Sequence, residues 1–172
     1  MKARQLCYEN YPWYTITFAN FVSLATYATG ILLISGLGII PICFYIGLIL
    51  FHEVRLLKTG CTKCYYYDRY CAFGKGKLSA LLFKKEDPSL FQARGFSWYA
   101  LLPDILITVI PLLVGIYLII ADFRWILIPL ILLLIILASY GNALVRGSMA
   151  CKHCKQKMLG CAADQFFNKN HK

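Results

Sequence analysis

Acidic residues are scarce in this chain: 8 Asp and Glu stand against 18 Lys and Arg in 172 residues. Scarcer still are charged side chains within its long apolar stretches. No row of carboxylates or histidines crosses them, which argues against a proton or ion path. No Ser, His and Asp constellation of a hydrolase or transferase is visible. Gly74-Lys75-Gly76-Lys77 lacks the spacing and the following Ser/Thr of a Walker loop, so it reads as a flexible basic turn near lipid phosphates. These absences count against most enzyme classes. No small-residue cleavage site precedes the first long apolar run, so the basic start Met1-Lys2-Ala3-Arg4 is not read as a signal peptide.

Apolar residues are what the chain has: 59% of it, with a mean hydropathy of +0.61. An ordinary soluble domain holds about 45–50%. The length allows one compact domain rather than two large ones. Four runs approach the roughly 20 residues that cross about 30 Å of hydrocarbon: Thr15–Ile34, Ile39–Leu57, Tyr99–Ala121 and Trp125–Val145. Ser35-Gly36-Leu37-Gly38 and Asp122-Phe123-Arg124 are turns short enough to force two antiparallel hairpins. The expected fold is therefore an all-α integral membrane protein of four transmembrane helices. Residues 1–57 carry an interfacial segment and the first hairpin, and 58–97 a cysteine module with a linker. Residues 98–145 form the second hairpin, and 146–172 the second module and tail. Tyr11, Trp13, Tyr14, Trp98 and Tyr99 are placed at headgroup level.

Of the 18 basic residues only Arg124 lies in a hairpin turn. The positive-inside rule then puts both termini and the central segment in the cytoplasm, with the helices in the cell or inner membrane. Basic residues spread between apolar runs point to anionic headgroups and not to nucleic acid. Ala19, Ser23, Thr26 and Gly30 recur at helical spacing as a packing seam of small residues. His52, Glu53, Arg55 and Asp104 lie near helix ends where water is within reach, and Pro111 is expected to kink the third helix. Asp87-Pro88 has the form of an N-cap followed by Pro at the first helical position, opening a short surface helix.

The strongest remaining signal is a pattern that occurs twice. Cys61-Thr62-Lys63-Cys64 is followed after six residues by Cys71, and Cys151-Lys152-His153-Cys154 after six by Cys161. Both follow the second helix of a hairpin, which makes the unit of repetition a hairpin plus a module, in parallel orientation. Two residues between cysteines turn the chain so that both sulfurs face one point, where thiolates bind a soft or borderline cation. In a reducing cytoplasm that spacing reads as metal ligation or redox chemistry rather than as disulfides. Cys61, Cys64, Cys71, Cys151, Cys154 and Cys161 are the candidate metal ligands. Cys7 and Cys43 fall outside the pattern, as an interfacial residue and a packed helix residue.

Zinc fits two C-x2-C turns brought together. An iron–sulfur cluster is the other option, because the spacing is similar to a bacterial ferredoxin run, with cysteines at relative positions 1, 4, 7 and 11. Positions 1, 4 and 11 match in both modules. Position 7 is Tyr67 or Lys157, and Ala72 and Ala162 stand where Pro usually follows. Each module holds three cysteines, so the modules are expected to meet and share one metal-binding region, with Asp68 or Asp164 as the competing means of completing each half alone. Three functions follow. The first is a membrane-anchored metal-binding protein, a redox or structural subunit beside other subunits of a larger membrane complex. The second is a membrane thiol oxidoreductase acting through the cysteines. The third is a soft-metal transporter. Whether the chain is an enzyme stays open.

Overall fold

A computed structural model of the chain describes residues 7–88 and 98–159, and every regular element among them is helical. Helix α1 spans Trp13–Ile34 and runs through a tight turn, Ser35–Leu37, into α2, Ile39–Thr59. Gly38 joins them at φ 103°, a conformation that favours glycine. A short α3, Lys75–Leu82, follows the first cysteine pair. Helix α4 covers Trp98–Ala121, and α5 covers Leu127–Ile136. Wider π-type turns, Leu137–Gly141 and Leu144–Ala150, carry the chain on to Cys151.

Four helical stretches are long and apolar enough to cross a membrane: Trp13–Leu37, Ile39–Lys63, Leu102–Ala121 and Leu127–His153. In each, a third or less of the most apolar window is buried. Phe21, Ile40, Phe44, Leu113 and Ile120 are instead exposed. That much exposed apolar surface is stable only in lipid, so the chain is an integral membrane protein. The fourth span runs past the expected end at Val145, because Gly147 and Ser148, which look like a break, are taken up in the wider turns.

The chain forms two compact units. One comprises Phe21–Glu53 and Trp98–Asn142. Its packing follows from small residues. A Cβ on Gly30 would overlap the Tyr45 hydroxyl, one on Gly115 would press on Ile131 and Leu33, and one on Gly141 would meet Val22. The expected seam on α1 is buried at Ala19, Thr26 and Gly30 and half-buried at Ser23. Thr26 and Thr29 donate their hydroxyls to the carbonyls of Val22 and Ala25, four residues back, which satisfies both hydroxyls within the helix.

Helix α4 continues through Pro111. Proline has no N–H, so the carbonyl of Ile107 loses its helical donor. The Tyr45 hydroxyl donates to that carbonyl at 2.7 Å, inside a cluster with Ile34, Ile49 and Ile107. Tyr45→Phe is therefore expected to destabilise the protein by about 1–3 kcal/mol, the cost of a buried acceptor left unsatisfied. Thermal unfolding in detergent checks this; an unchanged midpoint would show that the proline defect is tolerated without Tyr45.

Candidate functional site

The second unit brings together the described parts of Met1–Asn20, Val54–Ser97 and Ala143–Lys172, and both C-x2-C pairs lie in it. Each pair makes the same local structure. Gly60 (φ −106°, ψ −57°) and Ala150 (φ −89°, ψ −67°) lead into one turn of 3₁₀ helix, Cys61–Lys63 and Cys151–His153. The N–H of Cys64 donates to the carbonyl of Cys61 and that of Cys154 to Cys151, both at 3.3 Å. Cys64 and Cys154 then leave in extended conformation. The first turn follows the C-terminal end of α2, and the second follows the end of the helical turns Leu144–Ala150.

The two turns are joined by a reciprocal exchange. The N–H of Tyr65, one residue after Cys64, donates to Oε1 of Gln156 at 2.7 Å. The N–H of Lys155, one residue after Cys154, donates to the hydroxyl of Tyr66 at 3.0 Å. Tyr66 and Gln156 hold equivalent places, two residues after the second cysteine of each pair, and both are only 2% exposed. Each turn thus donates one backbone N–H to a side chain of the other.

The N-terminal segment straps the exchange. Tyr8 donates its N–H to the carbonyl of His153 at 3.0 Å and accepts from the Tyr66 hydroxyl at 2.7 Å. Tyr11 donates its N–H to the carbonyl of Tyr70 and its hydroxyl to that of Ala150. Glu9 accepts from Arg69 and from the Tyr65 hydroxyl and pairs with Lys155. Tyr11, Tyr66, Ala72 and Ala150 form the core, and Cys64, Cys71 and Cys154 pack against it. Tyr11 is thus a core residue, 5% exposed, and not the headgroup aromatic expected from its place before α1. Trp13 and Tyr14 are exposed.

Burial pushes the Cys64 thiol up to about 12. A hydrogen bond from the Tyr66 backbone works the other way, while Cys154, Cys61 and Cys71 add to the rise. That Cys154 acts on Cys64 reflects the meeting of the two turns. Tyr66 is likewise raised to about 12, by burial first, against a lowering hydrogen bond from Lys155. Cys64 also lines an open pocket with Tyr65, Tyr67, Asp68, Arg69 and Lys85.

No known protein family matches the chain, and neither does any curated protein or solved structure. The reading of this unit therefore rests on its own geometry.

The structure brings Cys61, Cys64, Cys71, Cys151 and Cys154 into one unit, while Cys161 and Asp164 lie outside the described residues. Among the described residues no three Cys, His, Asp or Glu side chains stand where they could together hold a metal ion. Asp68, offered as a local fourth ligand, pairs with Lys77 at 2.9 Å. Cys43 is exposed on α2 rather than packed, because its side of the helix carries the outward-facing Phe44 and Ile40. The helix expected to open at Asp87-Pro88 falls on residues beyond the described part. The Gly74–Lys77 stretch is no flexible turn: Gly74 sits at φ 69°, and Gly76 lies against the carbonyls of Tyr66 and Arg69. Sequence reasoning missed Tyr8, Glu9 and Gln156. The one available signal was the matching position of Gln156 and Tyr66 after their C-x2-C pairs.

In the other unit, His52 on α2 approaches Asp104 on α4 at 3.4 Å. Tyr27 donates to Glu53 at 2.7 Å. His52 is buried, contrary to the expectation that water reaches it: Asp104, not solvent, faces its Nε2. These pairs join α2 to α4 and α1 to α2.

Proposed function

We propose that this chain is a membrane-anchored metal-binding protein, in which the Cys61/Cys64 and Cys151/Cys154 turns supply thiolates to one shared centre on the cytoplasmic side. The observation that carries it is the reciprocal hydrogen bonding of Tyr65 with Gln156 and Lys155 with Tyr66. It ties two turns of like backbone into one body. The described side chains do not converge on a single point, so the reading rests on the backbone of the turns and on their joining.

Two features favour cation binding over direct thiol chemistry. A reactive thiolate needs a lowered pKa, typically at a helix N-terminus. The Cys61 pair instead follows the C-terminal end of α2, where the helix dipole favours a cation and disfavours an anion. Cys64 is raised by burial, which counts against a free reactive thiolate there. A bound dication would reverse that logic, since it holds coordinating thiols deprotonated. Transport is less well supported, because Cys43, the soft ligand within α2, is exposed to the lipid side.

The cytoplasmic placement rests on the distribution of the basic residues. Arg124, the lone basic residue of the short turns, is held by Asp122 at 2.7 Å. The repeat of hairpin plus module, and docking to other membrane subunits in a redox or structural role, belong to the same proposal. Zinc and an iron–sulfur cluster both suit thiolate ligands. Elemental analysis of anaerobically purified protein decides between them: a brown preparation containing iron and sulfide, or a colourless one containing zinc. Protein with neither metal and with every cysteine open to alkylation would overturn the reading.

A further inference from the structure

We propose that α3 lies in the plane of the membrane surface, with its leucine face set among anionic phospholipid headgroups. One side of the helix is occupied: Gly76 and Ser79 are buried. Leu78, Leu81 and Leu82, at spacings of three and four, form a single stripe on its outside. They are 47%, 82% and 55% exposed. Water is a poor solvent for such a stripe, and an amphipathic helix of this kind settles at a lipid interface.

The height of α3 is set by its tether. Ser79 Oγ donates to the carbonyl of Leu57 at 3.2 Å, in the last turn of α2. Helix α2 has 21 residues, and at 1.5 Å per residue they cover about 31 Å, close to the hydrocarbon thickness. Leu57 therefore stands where a span begun at Ile39 leaves the hydrocarbon, and Ser79 holds α3 at that level. On the same buried side, Gly76 against the carbonyls of Tyr66 and Arg69 fixes the first turn of the helix.

Charge selects the lipid. From Gly74 to Lys85 the chain carries Lys75, Lys77, Lys84 and Lys85 and no acidic residue. Asp68 engages Lys77, while Lys84 and Lys85 are exposed just beyond the helix. Each lysine near an anionic leaflet favours it by about fivefold. A bilayer whose headgroups are partly acidic satisfies both the leucine stripe and the lysines around it.

The test places p-benzoylphenylalanine at position 81 of the full-length protein, in vesicles of phosphatidylcholine mixed with phosphatidylglycerol. Position 113, exposed on the third span, is the lipid-facing control. Irradiation is expected to give a phospholipid adduct at position 81, with the ratio of phosphatidylglycerol to phosphatidylcholine adduct about fivefold above that of the mixture. Three results would overturn the proposal: no lipid adduct at 81 while position 113 forms one, an adduct to another polypeptide or a second copy, or an adduct with no preference for the anionic lipid.

Discussion

Alanine at position 76 is expected to leave the spans helical while the cysteine-bearing unit loses its fold. The added Cβ would overlap the carbonyl oxygens of Tyr66 and Arg69. These are backbone atoms, so no side-chain rotation relieves the clash. Both carbonyls belong to the loop that follows Cys64: Arg69 N–H donates to Tyr66 at 3.0 Å, and Asp68 N–H donates to Gly76 itself at 3.2 Å. Moving Tyr66 would also break its bonds to Tyr8 and Lys155. A loss above about 4 kcal/mol follows, in the range of severe overpacking. Gly47→Ala is the matched control, because nothing lies within 4 Å of a Cβ there. Circular dichroism should show helix content retained in both variants, with maleimide labelling of the half-buried Cys64 accelerated in Gly76→Ala alone. Slow labelling in both would refute the argument.

The second large effect concerns metal content. Serine at both Cys61 and Cys64 is expected to reduce bound metal to about zero, not to half. A structural thiolate site takes four ligands, and each C-x2-C pair brings two. If the Tyr65–Gln156 and Lys155–Tyr66 bonds hold the pairs to one centre, Cys151 and Cys154 left alone make a poor site. The same loss is expected from serines at Cys151 and Cys154. Retention of half the metal in either double variant would mean two independent centres, each completed within its own module. The reciprocal hydrogen bonds would then serve packing alone.

The spans were legible in the sequence because lipid imposes one simple demand, a long apolar run with its backbone satisfied internally. Starts and ends at Trp13, Ile34, Ile39 and Ala121 fall within two residues of the apolar runs. The fourth span escaped that rule, since Arg146, Gly147 and Ser148 resemble an exit and are nonetheless helical. The cysteine pairs were legible as well, because C-x2-C is a local geometry. Their surroundings were not. Tyr11 reads as an interfacial aromatic until Ala150, 139 residues away, accepts its hydroxyl. Gln156 carries no signature in a basic tail, and its role exists only opposite Tyr65. Gly76 looks like flexibility and is in fact a steric requirement.

The strap that joins Tyr8 to His153 and Tyr11 to Ala150 has a consequence for biosynthesis. A ribosome delivers the first C-x2-C pair long before the second, and domains ordinarily form as they emerge. Here they do not. The Tyr65 N–H lacks its acceptor on Gln156, and the Tyr66 hydroxyl lacks the bond it accepts from Lys155, until residues 150–156 have been made and the last span has been inserted. A stalled or truncated chain thus leaves Tyr11 and Tyr66 without the cover that buries them in the finished one. The closing of this unit therefore comes last, after both ends of the chain are in place.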